Sequence, residues 1–277
     1  MIAGCVILYN PDFEVIENIL SYANFVQVLY VVDNSDAKNS TIITAIKSIE
    51  NAVYIDNKSN LGISSALNIG CEQAEKAGYS WILTMDQDTK FKNTDFFKLF
   101  DANIRPGIAI YAASYTNEYD RWVKPYNNDF NEIHFVVTSG NLLNLKIWRE
   151  LGRFEDKLFI DEVDHDYCIK ARQKGYNILT SCKIFLEHGV GVALSNQNNK
   201  VFVGHSPVRY YYITRNTLYI IKKYVWVDFK LVYNRIRHLS KNVVKIALFY
   251  PNKKQYAKAI VKGVTDFTKG RYGKMII

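Results

Sequence analysis

The sequence has few cysteines, and none of them stands in a spacing that binds metal or builds a disulfide framework. Its four cysteines, Cys5, Cys71, Cys168 and Cys182, form no CxxC pair and no cluster with histidine. Structural zinc sites and disulfide scaffolds need such pairs or clusters, so the sequence argues against both classes. Scattered cysteines fit a reducing compartment, and we therefore expect a cytoplasmic protein.

Long apolar runs and glycine-rich phosphate motifs are also missing. No segment approaches about 18 uncharged apolar residues, so we expect no membrane-spanning helix. The apolar opening MIAGCVILY lacks a basic flank and runs into Asn10-Pro11-Asp12, which predicts a first strand rather than a signal peptide. The absence of GxGxxG, GxxxxGKS and GxxxxGKT argues against the common dinucleotide and P-loop cradles.

Acidic residues are nearly absent from the last quarter of the chain. From Ser206 onward there are 16 Lys or Arg residues and two acidic residues, Asp228 and Asp266. Residues 1–205 hold 19 basic and 25 acidic residues, so the two parts carry net charges of +14 and −6. This asymmetry predicts that the C-terminal part meets an anionic surface, such as a membrane, a nucleic acid or an acidic partner.

The first ninety residues alternate between two periodicities. Short runs rich in Val, Ile, Leu and Tyr predict strands, and apolar residues at helical spacing lie between them. The predicted strands are IAGCVILY, VQVLYVVD, AVYID and SWILTMD, and the predicted helices are DFEVIENILSYA, NSTIITAIKSIE and ISSALNIGCEQAEKAG. This alternation indicates an α/β protein with a parallel sheet covered by helices. Further along, GIAIYAASY and IHFVVTSG predict strands, and FIDEVDHDYCIKARQKGY contains a helix.

Polar residues directly follow all four of the first strands. They are Tyr9-Asn10, Asp33-Asn34, Asp56-Asn57 and Asp86-Gln87-Asp88. The carboxyl ends of parallel strands meet at one edge of the sheet, and ligands of such sheets bind there. The sequence therefore predicts a polar, ligand-binding rim.

Two carboxylates of this rim, Asp86 and Asp88, stand one residue apart. In an extended chain they would point to the same side, where a cation would relieve their repulsion. The alternative is a turn at the end of the strand, because Asp is common at such turns. Asp33-Asn34-Ser35 also fits a helix N-cap, which needs no ligand but is compatible with a binding role.

The C-terminal part contains one apolar stripe at helical spacing, which Pro251 ends: Val232, Ile236, Leu239, Val243, Ile246 and Tyr250. On another face of the same helix lie Arg237, Lys241 and Lys245. Two interpretations fit this pattern. The helix either packs on the catalytic part of the chain or lies on an anionic membrane as a basic amphipathic helix.

Eight segments follow one another in a specific order: VILYNP, VVDNSD, NLGISSALNIG, MDQDT, TSGNLL, FIDEVDHDYCIKARQKGY, LEHGVG and RYYYITRN. In this order the chain resembles the inverting glycosyltransferases of family 2 over about residues 3–220, and looks most like the bacterial rhamnosyltransferase branch that uses dTDP-L-rhamnose. The resemblance implies a GT-A fold, a Rossmann-like nucleotide-binding sheet fused to an acceptor-binding half. The expected domains are a catalytic domain in 1–205, divided into a nucleotide-sugar half (1–100) and an acceptor half (101–205), and a basic, aromatic, mostly helical extension in 206–277.

The resemblance also assigns the donor and the metal. It implies that the nucleotide sugar contacts Leu8, Tyr9, Asn10, Asp33, Asn60, Gly62, Asp86 and Gln87. It implies a divalent metal, Mg²⁺ or Mn²⁺, held mainly by Asp88, with Asp86 close by and His188 near the metal or the diphosphate. Hard cations of this kind bridge phosphates and carboxylates, which agrees with such roles.

For the catalytic base, the resemblance points to Asp164 in VDHDYCIKARQKGY. This carboxylate would stand near a helix N-terminus, where the helix dipole favours its ionised form. The resemblance places Ser139, Gly140, Asp161 and Glu162 towards the acceptor. Arg215 in the RYYYITRN segment holds a phosphate or takes part in an internal ion pair.

The function that follows is transfer of a single sugar, L-rhamnose, to a lipid-linked or cell-surface glycan acceptor. The alternative within the fold is a transferase that uses a UDP-hexose donor. A nucleic-acid-binding module would use the basic, aromatic tail, but it gives the acidic rim no role, so we expect no nucleic acid. We expect the enzyme at the inner face of the cytoplasmic membrane, bound through its C-terminal extension. A homodimer is one of the oligomeric states that the sequence leaves open.

Overall fold

The computed structural model of the protein describes residues 1–93, 95–115, 128–188, 193–195 and 201–276; for residues 115, 182, 188, 193–195 and 201–203 it describes the backbone alone. Within these ranges the strands are β1 (Ile2–Leu8), β2 (Val28–Asp33), β3 (Ala52–Asp56), β4 (Trp81–Asp86), β5 (Thr89–Phe91), β6 (Ile108–Tyr115), β7 (Asn131–Glu132), β8 (Asn141–Asn144), β9 (Asn177–His188), β10 (Ala193–Ser195) and β11 (Val201–Val203). The helices are α1 (Glu14–Ala23), α2 (Ser40–Lys47), α3 (Ile63–Lys76), α4 (Asp95–Asn103), α5 (Leu145–Glu150), α6 (Val163–Gln173), α7 (Pro207–Tyr224), α8 (Phe229–Phe249) and α9 (Lys253–Thr268). A short 3₁₀ helix covers Asp156–Leu158.

One mixed sheet organises the first two thirds of the chain. Its strands run in the order β3-β2-β1-β4-β8-β6-β9-β5, and β7 also pairs with β9. The first four of these are parallel, whereas β8 is antiparallel to both β4 and β6. The predicted α/β class and GT-A architecture are confirmed. The four strands predicted before residue 90 are all present, with ends within two residues of the prediction.

Amphipathic helices cover this sheet. In α1 the buried residues include Val15, Ile19 and Tyr22, which follow helical spacing and pack into the main core with Trp81. Helix α2 begins at Ser40, because the side chain of Asn39 accepts hydrogen bonds from the backbone amides of Thr41 and Ile42. Asn39 is therefore the N-cap, and the N-cap interpretation of Asp33-Asn34-Ser35 is wrong.

One strand prediction fails for a physical reason. The segment IHFVVTSG, residues 133–140, is not a strand. The carbonyls of Val137 and Thr138 accept hydrogen bonds from the side chains of Asn141 and Thr84, so these two carbonyls do not join a backbone ladder. For Asp86 and Asp88 the turn interpretation is confirmed, since β4 ends at Asp86 and residues 87–88 form a turn.

The chain divides into two compact units. The first consists of Met1–Asp156 and Val163–Gly189, and the second of Lys157–Glu162 and Val190–Ile277. The second unit therefore contains a six-residue segment from the middle of the sequence. The predicted functional domains, 1–100, 101–205 and 206–277, stay predictions.

Three helices form most of the second unit. Helix α7 packs on both α8 and α9. Tyr210, Tyr250 and Tyr256 meet in one buried aromatic cluster, in which the hydroxyls of Tyr210 and Tyr250 lie 2.8 Å apart. In the part of the chain that the structure describes, every helix is too short or too polar to cross a bilayer.

Candidate active site

The four parallel strands place the candidate site at a topological switch point. The chain runs from β1 outward to β2 and β3, and then returns to place β4 on the other side of β1. The connections after β1 and β4 therefore leave in opposite directions, and α/β sheets bind ligands beyond the carboxyl ends of such strands. All four polar clusters predicted for the rim lie at this edge of the sheet.

Gln87 joins the two strands that flank the switch point. Its side-chain oxygen accepts a hydrogen bond from the backbone amide of Tyr9 at 2.8 Å, and its amide nitrogen donates to the carbonyl of Tyr9 at 3.3 Å. The ring of Tyr9 is 45% exposed, and its hydroxyl donates to Asp36. Leu8, at the end of β1, is buried. The ring of Tyr9 is therefore an exposed aromatic surface at the switch point.

Asp33 is a buried carboxylate at the end of β2. It accepts hydrogen bonds from the backbone amide of Ser35 at 2.8 Å and from the hydroxyl of Tyr54 at 2.5 Å. Burial, followed by the hydrogen bond to Asp33, raises the pKa of Tyr54, so this phenol stays protonated and donates. Lys38 Nζ lies 3.3 Å from Asp33 and 3.1 Å from Asp56. Hydrogen bonds from Lys58, with Lys38 adding a smaller effect, lower the pKa of Asp56. Asp33 and Asp56 are thus held beside two lysines, and Lys38 bridges the two carboxylates.

Asn34 holds the rim to the start of α3. Its side chain donates to the carbonyl of Gly62 at 3.0 Å and accepts from the side chain of Asn57 at 2.8 Å. Gly62 has φ of 87°, a conformation that glycine adopts without strain. The predicted donor residue Asn60 accepts a hydrogen bond from the amide of Gly62 at 2.9 Å. Asn10, the remaining rim residue of the prediction, donates its backbone amide to Ser35.

The end of β4 meets the Ser139-Gly140 turn. The backbone amide of Asp86 donates to the hydroxyl of Ser139 at 2.9 Å, and the amide of Gly140 donates to the carbonyl of Thr84 at 2.8 Å. Gly140 has φ of 75°, and a side chain here would collide with Leu186, so only glycine fits. Two predicted groups of site residues, those of the donor and those of the acceptor, are thereby brought together.

The donor set at this edge suits a hard cation. Asp86 is half-buried and Asp88 stands in the exposed turn, and both supply carboxylate oxygens. Thr89 pairs with His188 across β5 and β9, so position 188 lies beside the residue that follows Asp88. The side chain of His188 lies outside the described residues. Among the side chains described, no group of three or more His, Cys, Asp or Glu residues forms a metal site. Mg²⁺ is commonly held by one or two carboxylates with the remaining ligands from substrate phosphates, and Asp86 and Asp88 fit that pattern.

Asp164 lies in the first turn of α6, as predicted for the base. Its carboxylate accepts a hydrogen bond from the backbone amide of His165 at 2.8 Å, and the ring nitrogen Nδ1 of His165 is 3.1 Å away. Asp164 also borders a cavity of about 10 Å³ with Thr84 and Asn141. Thr84 is two residues before Asp86, so Asp164 stands near the end of β4. Asp166, on the same turn, is fully buried and pairs with Lys170 at 3.4 Å.

Asp161, Glu162 and Arg215 all lie in the second unit, where they hold the segment 157–162 in place. Asp161 forms a bidentate ion pair with Arg209, and Glu162 lies 3.0 Å from Arg235.

Arg215 is completely buried and donates to the backbone carbonyls of Lys157, Leu158 and Gly273. The guanidinium of Arg215 therefore donates its hydrogen bonds to backbone carbonyls in this structure. Its phosphate-binding role stays a prediction without geometric support.

The same segment has an unusual backbone. Phe159, Asp161 and Glu162 all have φ near +64°, a left-handed conformation that costs non-glycine residues energy. Asn216 compensates by donating its side-chain amide to the carbonyls of Leu158, Ile160 and Asp161 at 2.7, 2.7 and 3.1 Å. Such strain persists only where the surroundings enforce it. Asp164 follows Glu162, the last residue of this segment, by two positions in the sequence.

Sequence reasoning missed Asn68, which lies on the buried face of α3. Its side-chain oxygen accepts from the amide of Phe154 at 3.0 Å, and its nitrogen donates to the carbonyl of Phe154 and to Asp156. Asn68 thus fixes the chain just before the strained segment. The signal was a polar residue between Leu67 and Cys71 on an otherwise apolar helix face, since buried polar groups are nearly always hydrogen-bonded.

Comparison with known proteins identifies the sequence family. Residues 13–172, more than half of the chain, match the family described as Glycosyl transferase family 2. The chain is 24% identical over 291 aligned residues to the dTDP-rhamnosyl transferase RfbF of Shigella flexneri, and the alignment covers 98% of this chain and 97% of that protein.

Solved structures show the same fold. The S. aureus TarS 1–349 structure in complex with UDP-GlcNAc superimposes with a TM-score of 0.58 at 15% identity, over 98% of this chain and 83% of that one. The structure of GalNAc-T7 with UDP, GalNAc and Mn²⁺ superimposes with a TM-score of 0.56 at 11% identity. That match covers 68% of this chain and 43% of GalNAc-T7.

Proposed function

The chain belongs to glycosyl transferase family 2 and is a glycosyltransferase; from this premise we propose that it transfers a single L-rhamnose from dTDP-L-rhamnose, with inversion, to a lipid-linked or cell-surface glycan. The observation that carries the choice of donor is the alignment with a dTDP-rhamnosyl transferase along nearly the whole of both chains. A UDP-hexose is the competing donor.

The rim at the switch point receives the nucleotide in this proposal. Tyr9 presents its exposed ring to the base, and Asp33, with Asn10 and Asn60 nearby on the rim, receives the ribose. Gln87 fixes the distance between the ends of β1 and β4 through its two hydrogen bonds to Tyr9. Because Asp33, Asn34 and Asn57 are already held by hydrogen bonds, little ordering is needed on binding, which favours affinity.

Asp88 and Asp86 would hold Mg²⁺ or Mn²⁺, with His188 as a further candidate ligand. When bound, the cation supplies charge neutralisation for the departing diphosphate. Asp88 stands in the exposed turn after β4 and Asp86 at the end of that strand, which places both carboxylates at the rim.

Asp164 acts as the general base in the proposed mechanism. It takes the proton from the acceptor hydroxyl at one of its carboxylate oxygens, while the sugar carbon passes from the diphosphate oxygen to the acceptor oxygen. Its place in the first turn of α6 stabilises the ionised carboxylate that this task needs. The nearby His165 amide orients the carboxylate, since it donates to Oδ1. Ser139 and Gly140 border the side on which the acceptor would approach.

The test is metal-dependent release of the nucleoside diphosphate from each donor. We expect release of dTDP from dTDP-L-rhamnose with Mg²⁺ or Mn²⁺, and none with EDTA. If a UDP-hexose is turned over at least as fast as dTDP-L-rhamnose, the UDP-hexose is the donor and the assignment of rhamnose is wrong. If the Asp164→Asn variant releases dTDP at the rate of the unchanged protein once an acceptor is supplied, the assigned base is wrong.

A further inference from the structure

Within the part of the chain that the structure describes, helix α8 buries one apolar face and leaves a second one exposed. Val232 and Ile246 are buried on the face that the other helices cover. Phe229, Tyr233, Ile236, Val243 and Val244 are between 43% and 67% exposed. At about 100° per residue, these five exposed side chains fall within about 100° of one another and form a second stripe along the helix. We call this stripe the exposed face of α8.

This finding corrects the stripe expected from the sequence. Val232, Ile246 and Tyr250 of that stripe are buried, but Ile236 and Val243 point to solvent. The apolar spacing therefore serves two purposes, with one set of residues packed inside the second unit and another set presented outside. A contiguous exposed apolar surface on a folded protein usually marks an interaction site.

The turn before the helix extends the exposed face. Trp226 is 85% exposed, and its ring lies 6.4 Å from the ring of Phe229 in an edge-to-face arrangement. Val227, beside it, is also exposed. Trp and Phe at such a position are the side chains that enter the interfacial region of a bilayer.

Basic residues border the exposed face on one side. Lys230, Arg237 and Lys241 are exposed and lie within about 40° of one another by helical geometry, next to Val244 and Tyr233. The helix Phe229–Phe249 contains no acidic residue. Asp228, just before it, is engaged as the N-cap through the backbone amide of Leu231. The face therefore combines apolar side chains with positive charge alone.

We infer that the exposed face of α8, with Trp226 and Val227, docks on the headgroup region of an anionic lipid bilayer. Charge decides between the candidate partners. In a dimer formed through this face, two helices that carry only positive charges would lie against each other, and the repulsion between like charges opposes that contact. Nucleic acid would meet the lysines but would leave the valines and the isoleucine without an apolar partner. An anionic bilayer satisfies both, with acyl chains below the phosphates. The surface extends the proposed function by giving the enzyme a place beside a lipid-linked acceptor, and its test does not depend on the sugar.

The experiment is co-sedimentation of the full chain with vesicles of phosphatidylcholine alone or of phosphatidylcholine with phosphatidylglycerol. We expect binding to the anionic vesicles at low salt and none to the neutral ones, with release as salt shortens the Debye length below about 10 Å. Replacing Lys230, Arg237 and Lys241 with Gln should weaken binding on the order of 100-fold, from about one kcal/mol for each charge. The variants Trp226→Ser and Phe229→Ser should each weaken it by about 10-fold or more.

The matched control replaces Lys76, Lys98 and Lys146 with Gln, because these exposed lysines of the first unit carry the same total charge. Binding of this control should change by less than about twofold. If both triple variants lose vesicle binding to the same extent, binding depends on the total charge of the protein and the proposed docking surface is wrong. The proposal is overturned if the protein does not bind anionic vesicles. It is also overturned if sedimentation velocity shows a dimer that the Phe229→Ser substitution dissociates. Release of dTDP from dTDP-L-rhamnose in solution should be the same in all these variants, so a failed donor and a failed surface give different results.

Discussion

The buried carboxylate of Glu162 forms an ion pair with the partly buried Arg235, whose Nη1 lies 3.0 Å from Glu162 Oε1. The hydroxyl of Thr217 donates to the same carboxylate oxygen at 3.3 Å. Through this pair, helix α8 is connected to the left-handed segment 157–162, and Asp164 follows Glu162 by two positions in the sequence. The C-terminal helices thus do more than carry charge, since one of their arginines neutralises the buried carboxylate of that segment.

Removing one partner of this pair should destabilise the protein strongly. In the Arg235→Met variant, Glu162 keeps a buried charge without its neutralising arginine, and we expect a loss of about 3–5 kcal/mol in the free energy of unfolding. Urea unfolding of the full chain measures this quantity. Arg237→Met, on the exposed side of the same helix, is the matched control and should change it by less than about 0.5 kcal/mol. Equal effects of the two substitutions would show that the pair contributes nothing special.

The base assignment predicts a loss of rate with little loss of donor affinity. Asp164→Asn keeps the size of the side chain but cannot take a proton, which typically costs about 10² to 10⁴ in rate. The comparison variants are Asp161→Asn and Glu162→Gln, whose parent carboxylates are engaged by Arg209 and Arg235. Steady-state transfer rates, corrected for the folded fraction by circular dichroism, separate these cases. A far larger rate loss at Asp161 or Glu162 than at Asp164 would move the base there.

The metal assignment predicts that Asp88→Ala abolishes divalent-dependent transfer while the fold stays intact. Asp88 is in an exposed turn, so its removal should leave the melting temperature within a few degrees of the unchanged protein. Asp101→Ala, an exposed carboxylate on α4, serves as control and should keep full activity. Near-native turnover of Asp88→Ala at saturating Mn²⁺ would reject the metal role of this residue.

The buried thiols predict an unusual pH dependence of alkylation. Burial raises the pKa of Cys5 and of Cys168 to about 12, and raises the pKa of Cys71 as well. A raised pKa leaves less of the reactive thiolate, so native labelling at pH 8 should be more than about 100-fold slower than in denaturant. The rate should keep rising above pH 9, where an ordinary thiol levels off. The measurement uses the Cys182→Ser variant, which leaves these three thiols; rapid labelling of any of them in the native protein would contradict their burial.

The sequence predicted the parallel half of the sheet well for a physical reason. Strands β1 to β4 are short apolar runs whose ends carry turn residues, and both signals are local. The segment 133–140 has the same apolar composition, yet its backbone bonds to the side chains of Thr84 and Asn141, which are distant or downstream partners. Composition alone could not distinguish these cases.

The contacts that organise the site were mostly beyond sequence reasoning. Asn34 was expected at the rim, with a helix cap as a further role, but its bonds to Asn57 and Gly62, which span more than twenty residues, were not foreseen. Glu162 and Arg235 are 73 positions apart, and no periodicity relates them. The spacing in α8 revealed a helix and its end at Tyr250, but not which apolar residues face solvent, because that depends on how the neighbouring helices pack.

The central claim is that the nucleotide binds at the switch point between β1 and β4, and calorimetric titration of dTDP tests it most directly. In the presence of Mn²⁺ we expect one site per chain, and at least about tenfold weaker binding with EDTA. Tyr9→Ala should weaken binding by about 10- to 100-fold, since stacking of a base on an aromatic ring contributes about 1–3 kcal/mol. Phe13→Ala, an exposed aromatic a few residues away, should have no effect. Equal dTDP affinity in the unchanged protein and in Tyr9→Ala, with and without the metal, would contradict the account.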